Sequence, residues 1–189
     1  FSNYYNEVFH ITAVQRGFLE IPRESPGILC MLLVAALSSL GNIWMGMIAQ
    51  LLSMIGLVVM GCMSPTYGVM LCFLFVQSLG SHFFMPLNDA IAMDLAEKGK
   101  VGTGLGRFKG VSTMSAMVAA CVIFVGFRTG VFTFADRVIL PFVLAAALTA
   151  AAIALLAAML PVMGRGSAAG GRGLLVRREY MPYYMVTLA

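Results

Sequence analysis

Between Glu24 and Asp89 the chain carries no Asp, Glu, Lys or Arg. An uncharged run over residues 25–88 is about three times the roughly 20 residues that one helix needs to cross a bilayer, so several apolar helices must follow one another within it. Composition points the same way. The chain is 60% hydrophobic and 11% charged with a mean hydropathy of +0.92, whereas about a quarter of the residues in a soluble domain are charged. A chain of 189 residues has no interior large enough to hide that much apolar surface. The expected fold class is all-α, a polytopic transmembrane helix bundle, with the lipid bilayer as its first partner.

Immediately before the run, residues 15–26 read QRGFLEIPRESP and open the first complete span. At about 100° per residue, with Arg16 as zero, Glu20 falls at roughly 40°, Arg23 at roughly −20° and Glu24 at roughly 80°. All four share one helix face. Charges inside a span cost about 2.5 to 3.5 kcal/mol each on insertion scales and are usually paired, turned inward and functional. Arg16/Glu20 and Glu20/Glu24 have the spacing of helix neighbours, and Arg23 can neutralise an adjacent carboxylate. The bland alternative is a solvated loop or interfacial helix that ends at Pro26, because proline removes a backbone donor and kinks or ends helices.

Spans are expected over about 15–40, 43–63, 66–93, 104–127 and 138–163. The third carries two polar rows, Gln77, Ser81 and Asn88 on one face and His82 with Asp89 on another, so that one row suits a cavity and the other a neighbouring helix. Gln77, Asn88 and Asp89 are the second-rank site candidates, and His82 reads as a packing histidine. The fourth span carries Gly110, Ser112, Thr113, Ser115, Ala116, Ala119 and Ala120; small residues let helices approach closely in lipid, which suggests a central position. Cys30, Cys62, Cys72 and Cys121 are scattered through apolar runs without paired spacing, so neither a disulfide framework nor a metal site is expected. Gly102, Gly104 and Gly106 follow no strand, which argues against a nucleotide site. No cofactor and no nucleic-acid partner are expected.

Loop charge gives an orientation. Lys98, Lys100, Arg107 and Lys109 fall on the same side as Arg165, Arg172, Arg177 and Arg178, while the opposite loops hold only Arg128 and Arg137. The positive-inside rule then puts residues 94–109 and a basic linker over 164–178 in the cytoplasm. A further span is expected to begin over 179–189. The expected location is a plasma or inner membrane, with a native chain continuing beyond both Phe1 and Ala189.

Three features, QRGFLEIPRESPG in the second helix, MPLNDAIAMDLAEKGKVGTGLGRFKG across the fourth-to-fifth loop and the basic linker over 164–178, resemble the amino-terminal half of a major facilitator superfamily transporter with its first helix truncated. The resemblance covers essentially the whole chain. It implies a central cavity between two halves, alternating access, and partners in the missing first helix and carboxyl-terminal half of the same chain. One departure is plain: SSLGNIWMG stands where the family has an Asp-Arg and a basic pair, so the family's gating residues do not carry over.

The function expected is secondary transport of a small polar or anionic solute, held by Arg23 with Arg16, with Glu20 or Glu24 as the proton-coupling group and H+ as the candidate coupling ion. A carboxylate in a low-dielectric cavity favours its neutral form while a nearby arginine opposes this, so a solute that occupies the arginine releases the carboxylate to take up a proton. The alternative is a non-transporting receptor or assembly scaffold with a structural charge network. No nucleophile-base pair or ligand cluster suggests an enzyme.

Overall fold

Five stretches fold into helices long and apolar enough to cross a membrane: Ala13–Leu40, Asn42–Gly61, Tyr67–Leu95, Val101–Arg128 and Leu140–Pro161. The structure, a computed structural model, describes residues 2–63, 66–132 and 139–163. Within them the order is α1 (Ser2–Phe9), α2 (Ala13–Glu24), α3 (Pro26–Leu37), a 3₁₀ turn (Ser38–Leu40), α4 (Asn42–Cys62), α5 (Tyr67–Leu95), α6 (Val101–Arg128) and α7 (Ile139–Met163). No strand occurs among the described residues. The expected turn at Ser64 and Pro65, the loop residue Arg137, the linker over 164–178 and the span beginning at 179 lie outside the described residues.

Helix α4 is the axis of the bundle, packing along α5 on one side and α7 on the other, while α2 and α3 lie against α5. Its length is divided among three apolar clusters. Ile43 meets Ile91 and Leu156 at one end, Met45 and Ala49 meet Phe83 and Leu87 in the middle, and Leu57 and Met60 meet Met70, Leu74 and Phe142 at the other end. Apolar side chains gain little by leaving lipid for one another, so close backbone approach must hold such helices together. Glycine provides it. A Cβ on Gly80 of α5 would lie 2.5 Å from the Ser53 backbone nitrogen of α4, and one on Gly61 of α4 would collide with the Phe142 ring of α7.

The central position expected of the fourth span does not hold. Helix α6 touches α5 only lightly, and Gly126 is its one buried residue. Gly110, Ser112, Thr113, Ser115, Ala116, Ala119 and Ala120 are all exposed. Small residues permit close packing without choosing a partner. In this chain Gly61 of α4 and Gly80 of α5 meet a neighbouring helix, whereas Gly102, Gly106 and Gly110 of α6 have nothing within 4 Å of where a Cβ would stand.

Helix α6 also begins earlier than the glycine-rich loop suggested. The loop is reduced to Ala96–Lys100, closed by Glu97 and Lys100 at 2.8 Å with Gly99 at φ 83°. Helical hydrogen bonding starts with the Gly104 N–H donating to Lys100 at 3.0 Å. Gly102, Gly104 and Gly106 are therefore helical, although each costs about 1 kcal/mol relative to alanine.

Candidate functional site

The charged stretch of residues 15–24 is helical. Thr12 and Gln15 form a reciprocal cap in which the Gln15 N–H donates to Thr12 Oγ1 at 3.3 Å and the Thr12 N–H donates to Gln15 Oε1 at 2.8 Å. Such a box satisfies two donors that a helix start leaves without partners. At the far end Ser25 keeps a helical backbone, with φ −56° and ψ −32°, so α3 continues α2 through a break at Pro26. The loop reading of this stretch is thereby set aside.

At that break α2 docks on α5. The Ser78 hydroxyl donates to the Arg23 carbonyl, and a Cβ on Gly27 would lie 3.5 Å from the His82 ring. Proline at Pro26 cannot donate to the preceding turn; a hydroxyl from the neighbouring helix supplies a hydrogen bond close by.

The docking point gathers an ionic cluster. Arg23 Nη2 lies 2.8 Å from Glu20 Oε2, and Arg23 Nε lies 3.0 Å from Glu24 Oε1. Across the helix interface Glu24 Oε2 lies 3.5 Å from His82 Nε2. The three α2 side chains are about half exposed, whereas His82 is 28% exposed. His82 Nδ1 lies 3.0 Å from the Ser78 carbonyl and 3.1 Å from its hydroxyl. The cluster thus has an open side on α2 and a closed side on α5.

Tyr5 of α1 lies within the electrostatic reach of this cluster. Burial pushes its hydroxyl well above the usual phenol range and Tyr4 adds to the rise, while Arg23 pulls it down and Glu20 pushes it up. Its neighbour Tyr4 faces α4 and donates to the Met60 carbonyl at 2.9 Å. Burial alone pushes the Tyr4 hydroxyl up to about 12.

Of the seven site residues expected from sequence, the structure brings Glu20, Arg23 and Glu24 together. Arg16 is exposed on the same helix and joins no ion pair among the described residues. Gln77 belongs elsewhere: it donates to Ser81 Oγ at 2.9 Å, and Ser53 of α4 donates to the Gln77 carbonyl at 3.3 Å. Asn88 is half-buried on the same row. Asp89 pairs with Lys109 of α6 at 2.5 Å, which ties that outer helix to α5.

Sequence reasoning missed Ser78, His82 and Tyr5. One signal for His82 was present, because it is the only histidine in the uncharged run of residues 25–88. Among the described residues no group of three or more His, Cys, Asp or Glu could hold a metal ion. An open groove of about 760 Å³ runs between α6 and α7, lined by residues such as Met114, Val118, Ile123, Pro141 and Leu148. It contains no ionisable side chain and shares no residue with the cluster.

No protein-family model matches the chain, and comparison with curated proteins and with solved structures finds no significant match to either.

Proposed function

We propose that this chain forms part of a secondary transporter, of the arrangement that the major facilitator superfamily uses, which moves a small polar or anionic solute by alternating access with a proton as coupling ion. One observation carries the reading: Arg23 is held between two carboxylates on a half-exposed face of a candidate membrane span. Counting back from Leu40 at 1.5 Å per residue, Glu24 lies about 24 Å along the span, inside a hydrocarbon core of about 30 Å. On the same count Glu20 lies about 30 Å along, at the edge of that core, so the cluster sits in the outer part of the span, where three charges gathered on one face are still costly and seldom kept without a role.

The mechanism is a competition. An anionic or strongly polar group that takes the Arg23 guanidinium displaces Glu20 or Glu24, and the displaced carboxylate gains its proton because its positive neighbour is now occupied. Solute binding and proton binding then favour each other. Uptake by the full-length protein in proteoliposomes, with and without an imposed proton gradient, tests this directly. Gradient-dependent accumulation is expected; saturable binding of a solute without any flux would replace transport by a receptor role.

A structural network is the second reading, favoured by the fact that Arg23 already has a carboxylate at both Nη2 and Nε. Exchange of the pair, Glu20→Arg with Arg23→Glu, separates the two. Recovery of folding and uptake together would favour the structural role, and recovery of folding without uptake would favour solute recognition.

A further inference from the structure

We propose that Glu24 and His82 together hold one exchangeable proton, with His82 as the residue that completes the proton site. The inference deepens the transport reading, on which its role in coupling rests, but the proton site itself depends only on the geometry between α2 and α5.

The argument begins with the tautomer. A backbone carbonyl can only accept, so the approach of His82 Nδ1 to the Ser78 carbonyl at 3.0 Å requires Nδ1 to carry hydrogen. The Ser78 hydroxyl gives its own hydrogen to the Arg23 carbonyl and is left to accept from the same Nδ1 at 3.1 Å. In the neutral ring Nε2 is then a bare acceptor. It faces Glu24 Oε2 at 3.5 Å, and an ionised carboxylate is also only an acceptor. Two lone pairs confront each other, and a proton between them removes the conflict.

Charge balance gives the same answer. Around His82, α2 supplies Glu20, Arg23 and Glu24, and α1 supplies Tyr5, whose burial keeps it neutral. Helix α3 offers only the Cys30 thiol, which donates to the Leu79 carbonyl at 3.8 Å. Helix α4 has no Asp, Glu, Lys, Arg or His, and Lys109 of α6 is taken by Asp89 of α5. Arg16, on the same face of α2, forms no ion pair among the described residues; within the paired cluster, two carboxylates against one guanidinium leave one negative charge. A single proton on the pair brings it to zero, the state that a membrane interior favours.

The step is a simple transfer. One proton arrives from water, rests on Nε2 as an imidazolium beside a carboxylate or on Oε2 as a carboxylic acid beside an imidazole, and leaves by the same route. Glu24 is open to solvent while His82 is mostly enclosed, so the carboxylate is the entrance and the ring is the inner seat. His82 acts on the solute only through Glu24 and Arg23, which makes it a positioning residue for the site.

The chain has two histidines, His10 and His82, so ¹⁵N-histidine labelling of the full-length protein in nanodiscs reads the site directly, with His10→Asn for assignment. The neutral His82 ring is expected with hydrogen on Nδ1 and none on Nε2. In Glu24→Gln the His82 Nε2 resonance is expected to move, because the facing carboxylate becomes an amide that can donate, while the His10 resonances stay in place. A neutral ring with hydrogen on Nε2, or a His82 Nε2 resonance that Glu24→Gln leaves unmoved, would overturn the proposal. The tautomer is read on the unaltered protein, so a variant that fails to fold does not remove the test. Failure to find any transported solute would sink the transport reading and leave the spectrum to decide the proton site by itself.

Discussion

Helix α5 presents two polar rows, and they are used in opposite ways. Gln77 and Ser81 face α4, where Ser53 completes a neutral set of hydrogen bonds beside the close approach at Gly80. Ser78 and His82 face α2, where they meet two carboxylates and a guanidinium on a half-exposed surface. Ser53 is 6% exposed and Ser78 3%, so burial of the serines does not separate the rows. Net charge does. A neutral polar set that satisfies itself can be shut inside a helix pair, whereas a set with an unbalanced charge keeps an opening to water or to a partner.

The largest effect should come from the neutral row. Gly80→Leu inserts a side chain where even a Cβ would lie 2.5 Å from the Ser53 backbone nitrogen, and overpacking costs at least about 1 to 3 kcal/mol. With α4 as the axis of the bundle, loss of a monodisperse folded species is expected on size-exclusion chromatography. A well-behaved Gly80→Leu protein would mean that the α4–α5 contact does not set the fold.

Next comes the charged row. Arg23→Ala strips the shared partner from Glu20 and Glu24, and solute uptake is expected to fall to background while the protein still inserts and elutes normally. In the transport reading this half-exposed face lines a watery cavity, so the carboxylates regain water when the guanidinium is lost and insertion stays normal. Retained uptake would assign this row to packing and erase the contrast with its neighbour.

How much of this was legible in sequence follows from which forces are local. Hydropathy and length reveal the five apolar helices because they are properties of single segments, and the common face of Glu20, Arg23 and Glu24 is fixed by helical pitch alone. The Thr12–Gln15 cap is equally local. Ser78 and His82 were not legible as site residues, because their importance arises from the break at Pro26 docking on α5, a contact between segments 55 residues apart in the Ser78–Arg23 hydrogen bond. Small residues misled for the same reason: Gly110 to Ala120 look as suited to a helix interface as Gly61 or Gly80, and only the partner decides. Gln77 shared a helix with the cluster but lay on the other row, and helical pitch alone does not say which row meets α2.

A smaller effect sharpens the comparison from the neutral side. Ser53→Ala removes the donor to the Gln77 carbonyl and the contact with Ser81 at 3.3 Å. Such hydrogen bonds between membrane helices average about 0.6 kcal/mol. A slight loss of thermal stability with unchanged uptake is therefore expected; a fall in uptake comparable with that of Arg23→Ala would show that the two rows are coupled.

The subtlest test uses the neighbours Tyr4 and Tyr5, which divide between the two regions. Tyr4 donates to Met60 on the neutral side, and Tyr5 senses Arg23 and Glu20 on the charged side. Burial raises the Tyr4 hydroxyl from 10.0 to about 12, so between those values the folded chain holds a proton that the unfolded chain has released. Stability from this group is complete below pH 10.0, declines as pH rises, and is lost by about 12. The loss amounts to about 3 kcal/mol for a shift of this size. Melting temperature should therefore drop across that alkaline window, and Tyr4→Phe should flatten the drop while costing about 1 kcal/mol at neutral pH through the lost hydrogen bond. Uptake at neutral pH should not change, because the Tyr4 hydroxyl is spent on the Met60 carbonyl at the packed end of α4. An alkaline transition that survives Tyr4→Phe intact would move the titrating group to another residue, with Tyr5 on the charged side as the first to replace.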